Sequence, residues 1–183
     1  MSYDPATKIH ELSAFGEFGG VNPSITDSST YTFLKSETMK ELFESEIEGC
    51  FLYSRHWNPS NKYLSDAISA LENSEASQIT ASGISAIACT ILQICKQGDE
   101  LISSRTIYGG TYALFKNILP RFGITVKFVD VTDLTAVESA ISNNTKLIYC
   151  ETISNPLLDI SDLPALSELA HSHDMKLVVE VVE

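Results

Sequence analysis

Positive charge is scarce in this chain: 12 Lys plus Arg face 24 Asp plus Glu in 183 residues, a formal net charge of −12. Such a surface repels polyanions, so nucleic acid and anionic membrane are poor partners. Cysteine is sparse too. Cys50, Cys89, Cys95 and Cys150 form no C-x-x-C pair and no zinc-like spacing, which fits small buried or half-buried thiols in a reducing compartment. Met1 to Glu11 lacks a charged-then-apolar leader, and no apolar run approaches membrane-spanning length, so the cytoplasm is the expected location. Also missing are G-x-G-x-x-G and a Walker lysine, which leaves the dinucleotide and triphosphate loops unsupported. His171 and His173 close a helix, where the dipole favours them, and no further ligands converge on them. What remains is ordinary globular material, 44% apolar and 20% charged, long enough for a sizeable core.

Residues 1–34 are rich in Ser, Thr, Gly and Pro, with scattered Phe15, Phe18, Tyr31 and Phe33 and no sustained period. They read as an extended arm that must lie on something else, and residues 1–58 are expected to serve contacts between subunits. A short helix capped by Ser36 carries Met39, Leu42, Phe43 and Ile47 on one stripe and can end at Gly49. Another, from Pro59 to Asn73, should bury Tyr63, Leu64, Ala67, Ile68 and Leu71. From residue 76 strands alternate with helices: strands at 76–81, 99–103, 124–129, 145–150 and 175–182, helices at 83–97, 110–122, 133–142 and 161–173. Gly98 and Gly123 fall where C-terminal caps belong, Asp133 and Ser161 where N-caps belong. This alternation predicts an α/β fold, a mainly parallel sheet flanked by helices, over residues 59–183.

Ligands in such sheets collect beyond the carboxyl ends of strands, and every polar motif of this chain follows a strand or an extended segment. Ser82-Gly83-Ile84 turns the chain into an apolar helix whose first amides form a natural phosphate seat. The same turn is also an ordinary helix cap. Tyr53 and Arg55, two apart in an extended segment, point the same way and can grip one phosphate, although Arg55 equally suits a surface ion pair. Tyr108, in Tyr108-Gly109-Gly110-Thr111, offers a ring for stacking on a flat ligand, or for the core. Glu151 and Asn155, in Glu151-Thr152-Ile153-Ser154-Asn155-Pro156, bring a carboxylate and an amide to the same edge, where Asn-Pro also makes a turn.

Taken together and in this order, Y-S-R-x-x-N-P, the S-G turn, Y-G-G-T and E-x-x-x-N-P resemble the trans-sulfuration (Cys/Met metabolism) family of fold-type-I enzymes that depend on pyridoxal 5′-phosphate (PLP). Cystathionine γ-lyase, methionine γ-lyase and O-acetylhomoserine sulfhydrylase are among its members. The likeness runs from about residue 19 to 180 and corresponds to the N-terminal half of such an enzyme. It implies PLP as cofactor and elimination or replacement on sulfur-containing or O-acylated amino acids. It implies that Ser82, Gly83 and Ile84 hold the cofactor phosphate. Tyr53 and Arg55 would reach the phosphate of a neighbouring subunit in a dimer or tetramer. Tyr108 would stack on the ring and assist the leaving group, and Asn155 would bond the ring hydroxyl with Glu151 in support.

The sequence departs from the family twice. Where members have V-V-D-N-T, with the aspartate on the ring nitrogen, this chain has Val178-Val179-Glu180-Val181-Val182. Glu180 is one methylene longer, which displaces its carboxylate by about 1 Å, a misplacement that can cost on the order of 10²-fold in rate; a solvent-facing Glu180 is the alternative. The family's S-x-T-K lysine motif is also absent from these residues, so the chain alone is expected to be inactive. Gly110 stands where methionine γ-lyases carry a cysteine, which turns the expected specificity away from methionine. Two rival readings stay open: a non-catalytic PLP- or phosphate-binding module that dimerises or pairs with a separate C-terminal half, and a nucleotide-binding α/β domain.

Overall fold

The structure, a computed structural model, describes residues 4–12, 16, 19–44, 47 and 49–181. Two compact units make up the chain, Met1–Ile79 and Thr80–Glu183.

The first unit holds three helices among its described residues: α1 (Pro5–Glu11), α2 (Ser36–Glu44) and α3 (Pro59–Glu72). α1 was not anticipated, although its signal is present: the Asp4 side chain accepts from the Ala6 amide and Pro5 opens the first turn. α3 begins where expected, because Asn58 accepts from the Asn61 amide and Pro59 follows it. The face it buries differs from the expected one. Leu64, Ile68 and Leu71 are exposed, and the buried residue is Ser65, which donates to the Ser77 carbonyl while Ser69 pairs with Ser77 Oγ. Hydrogen bonds to the following segment, rather than apolar burial, select that face. α2 likewise leaves Met39 and Phe43 exposed. Tyr31 finds a partner within the unit, its ring 5.6 Å from that of Phe51. Phe15 and Phe18 lie outside the described residues.

The second unit is the expected parallel sheet. β1 (Glu100–Ser104), β2 (Thr125–Val129), β3 (Thr145–Glu151) and β4 (Lys176–Glu180) stand in the order β2-β1-β3-β4, every pair parallel. Around them lie α4 (Gly83–Ile94), α5 (Gly109–Ala113), α6 (Leu134–Ala140) and α7 (Leu163–Ser172). One face of the sheet, with Leu101, Leu147 and Tyr149, packs on Ile87 and Ile91 of α4 and on Leu114, Phe115 and Leu119 beyond α5. The opposite face, with Ile102, Ile148 and Cys150, packs on Val137 of α6 and on Leu166 and Ala170 of α7. Each such side chain buried in full contributes about 1.5–3 kcal/mol. Both faces being covered, consecutive strand residues such as Leu101 and Ile102, or Leu147 and Ile148, are buried on opposite sides.

Several expectations change in detail. Residues 76–81 form no strand, having no ladder neighbour among the described residues. The helix expected over 110–122 breaks into α5, a π-turn at Leu114–Ile118 and a 3₁₀ turn at Leu119–Phe122, ended by Gly123 at φ 73°. Pro120 has no N–H to donate, which interrupts the regular ladder there. Asp162, not Ser161, caps α7; Asp133 caps α6 as expected.

A candidate cofactor site at the carboxyl edge

The sheet order sets the site. From β1 the chain passes over one face to β2; it then returns to the far side of β1 as β3 and leaves over the other face to β4. The carboxyl ends of β1 and β3 therefore flank a topological switch point, the place where open α/β sheets bind ligands. The loop after β1 carries Tyr108, and the loop after β3 carries Asn155.

Glu151, the last residue of β3 and 1% exposed, joins these two loops. Its Oε1 accepts from the Tyr108 backbone N–H at 2.6 Å and its Oε2 from the Asn155 backbone N–H at 3.0 Å. Its own carbonyl accepts from Ser161 Oγ at 2.8 Å. Burial raises the Glu151 pKa and neighbouring Glu180 raises it further, against the two amides, which lower it. Glu180 ends β4 in register with Glu151, so both carboxylates stand on the face that carries Tyr149. The Tyr149 hydroxyl donates to Glu180 Oε2, and the Glu180 carbonyl accepts from the Thr152 amide at 3.0 Å. Glu180 is thus engaged at the sheet edge rather than turned freely to solvent.

Tyr108 caps α5 without a side-chain bond, and its residue is 51% exposed. The ring lies against Gly110: a Cβ added there would stand 2.5 Å from Tyr108 Cε1. Asn155 spends its amide on Glu151 and is itself exposed, across a cis bond to Pro156. At α4, the N-cap Ser82 Oγ accepts from the Ser85 amide at 3.2 Å and takes neither the Gly83 nor the Ile84 amide of the first turn. Open space surrounds Gly83, since an added Cβ would meet nothing within 4 Å. Tyr53 and Arg55 belong to the first unit, where the guanidinium carbon stands 4.6 Å from the centre of the tyrosine ring. The segment is a turn rather than extended, with the His56 and Trp57 amides donating to the Tyr53 carbonyl, so this contact, and not strand alternation, brings the two side chains together.

Tyr108, Glu151 and Asn155 are therefore joined directly, and Glu180 stands beside Glu151; among the described residues no hydrogen bond links Ser82, Gly83 or Ile84 to them. Sequence reasoning missed Tyr149 and Thr111. Tyr149 had a signal, lying two residues before Glu151 on the same strand face. Thr111 Oγ1 is buried without a hydrogen-bond partner. Of the cysteines, Cys95 and Cys150 are buried, each thiol pushed up to about 11 chiefly by burial, whereas Cys89 is exposed, contrary to expectation. Among the described residues no helix is long and apolar enough to cross a membrane, and no group of three or more His, Cys, Asp or Glu is placed to hold a metal.

A parallel sheet with an open helix N-terminus, an exposed aromatic ring and carboxylates at its carboxyl edge fits a flat anionic cofactor, and the fold is that of fold-type-I PLP-dependent enzymes. Solved structures bear this out. A cystathionine gamma-lyase from Lactobacillus plantarum, complexed with L-serine, superposes with a TM-score of 0.84 at 34% identity, covering 98% of this chain and 44% of its own. A protein described as an O-acetylhomoserine (thiol)-lyase from Campylobacter jejuni, solved with a pyridoxyl-lysine phosphate, gives 0.91 at 27% identity over the same shares. The chain belongs to the Cys/Met metabolism PLP-dependent enzyme family, whose model matches residues 6–182. It is 42% identical to a methionine gamma-lyase of Arabidopsis thaliana over 97% of this chain and 42% of that protein. It is 38% identical to an O-succinylhomoserine sulfhydrylase of Pseudomonas aeruginosa over 90% of this chain and 40% of that protein. The chain thus spans less than half the length of these relatives.

Proposed function

We propose that these residues form the cofactor-holding part of an enzyme for elimination or replacement at the β or γ carbon of sulfur-containing or O-acylated amino acids. The observation that carries this reading is the Glu151 carboxylate, which ties Tyr108 and Asn155 across the switch point beside Glu180. PLP, when bound, supplies the electron sink that stabilises a substrate carbanion. The chain's own residues supply the rest of the cradle. The Gly83 and Ile84 amides, with Ser82 shaping their turn, hold the phosphate at the positive end of α4. Tyr108 covers one face of the ring, Asn155 bonds the ring hydroxyl, and Glu180 faces the ring nitrogen. Tyr53 and Arg55 hold the phosphate of a neighbouring subunit. A lysine for the Schiff base and an arginine for the substrate carboxylate have no counterpart in these 183 residues, so the chain alone binds the cofactor reversibly and does not turn over.

Titrating the purified chain with PLP tests this. The expected result is saturable binding, competed by inorganic phosphate, indifferent to NAD and ATP, and weakened about tenfold by Tyr108→Ala, as loss of one stacking ring implies. No single lysine should be labelled stoichiometrically after borohydride reduction. Affinity for ATP or NAD matching that for PLP would overturn the cofactor assignment. Stoichiometric labelling of one lysine would overturn the incompetence of the isolated chain.

A further inference from the structure

We propose that Tyr149 is a positioning residue for Glu180: its hydroxyl tethers the glutamate so that the longer side chain presents its carboxylate where the family's shorter aspartate would stand. The inference rests on the reading of Glu180 as the partner of the ring nitrogen. It starts from a problem. An extra methylene gives the carboxylate a further rotatable bond and carries it past the place an aspartate reaches. Such a group serves a fixed ring nitrogen only if something holds it back.

The structure contains that holder. Tyr149 lies on β3, opposite Val178 and two residues before the strand end, so its hydroxyl acts on Glu180 from the inward side of the edge. The tether is rigid. Tyr149 is fully buried, and its ring meets Phe115 edge-on with centroids 4.9 Å apart and planes at 79°. Burial and the Glu180 charge push the phenol's ionisation well above the ordinary tyrosine value, so the hydroxyl keeps its proton and remains a donor at working pH. Thr111 acts on the same phenol in the opposite direction, and its own hydroxyl is buried without a hydrogen-bond partner. Glu151 bounds the cluster on the side of β3 and feels the Glu180 charge. A tethered Glu180 makes a fixed negative site for a protonated ring nitrogen, at the cost of one hydroxyl.

The test compares PLP with its 1-deaza analogue, which has carbon in place of the ring nitrogen, in equilibrium titrations of four chains: parent, Tyr149→Phe, Glu180→Ala and the double variant. Tyr149→Phe should weaken PLP about tenfold, the scale of a hydrogen bond to a charged group. It should change the analogue less than about twofold and add nothing to Glu180→Ala. Glu180→Asp, which needs no tether, should recover most of the loss in the Tyr149→Phe background. A Tyr149→Phe chain that binds PLP like the parent, while Glu180→Ala discriminates the two ligands, would overturn the tether and leave the Glu180 reading standing. Equal loss for both ligands in both backgrounds would show that Tyr149 merely supports the fold and would overturn the tether too. If Glu180→Ala fails to discriminate the ligands, the ring-nitrogen reading falls and takes the tether with it. A second measurement needs neither ligand nor a folded Tyr149→Phe chain. The Tyr149 hydroxyl proton should appear as a slowly exchanging downfield resonance that disappears in Glu180→Ala, and its persistence there would overturn the proposal.

Discussion

Glu151 is pulled two ways. Its two amide partners favour the charged form, whereas burial and Glu180 favour the neutral one, and the second pair prevails. A carboxyl whose folded pKa exceeds its unfolded value contributes stability below the unfolded value and loses it as pH rises through the folded one. Glu151 therefore lowers stability progressively as pH climbs from about 4.5, its ordinary value. In Glu151→Gln that part of the melting-temperature profile should flatten, which a thermal series over pH would show. The same substitution replaces one acceptor oxygen by an NH₂ group, which cannot accept from an amide. Hydrogen exchange should then find one of the Tyr108 and Asn155 amides unprotected and the other still slow; continued protection of both would show that Glu151 does not hold them.

Among the elements, the broken helix from Gly109 to Phe122 has the sharpest energetic signature. It delivers Phe115, fully buried, to the ring of Tyr149. Phe115→Ala should cost about 3–5 kcal/mol in urea unfolding, beyond what a surface site on the same stretch would show. The stretch also shows where sequence reading stops. Gly123 and the apolar spacing announced the element and its end, but the π-turn arises from how a segment with Pro120 near its close accommodates the sheet. Asp133 was legible because a cap is a local contact within three residues. The strand expected at 76–81 was not secure for the opposite reason: a strand is defined by its neighbour, and alternation within one segment cannot say whether a neighbour exists. The motif residues at 108, 151, 155 and 180 could be placed at one edge because each follows or ends a strand. Tyr149 escaped notice because an apolar run gives no sign of which ring carries a hydroxyl to a carboxylate.

At the scale of the whole molecule, several large apolar side chains stand exposed among the described residues. Within residues 1–58, Ile25 is 94% and Leu34 105% exposed, and Val21, Met39 and Phe43 add to them. This supports the reading of residues 1–58 as a surface for another copy or a complementary half. In the second unit, α4 has no charged residue and leaves Ile84 and Leu92 exposed. Size-exclusion chromatography of the isolated chain should show concentration-dependent association, with proteolysis near residues 19–34 suppressed as the oligomer fills. A monomer at all concentrations whose residues 19–34 resist protease would count against that assignment.

The Glu151 bridge has a consequence for how such a site can change. Its two bonds go to main-chain amides, so it takes no account of which side chains stand at positions 108 and 155. The frame is thereby separated from the chemistry mounted on it. Apart from proline, which has no amide hydrogen, residues there can be exchanged in a library without loosening the two loops. New ligand preferences could arise at this edge while the scaffold beneath stays as it is.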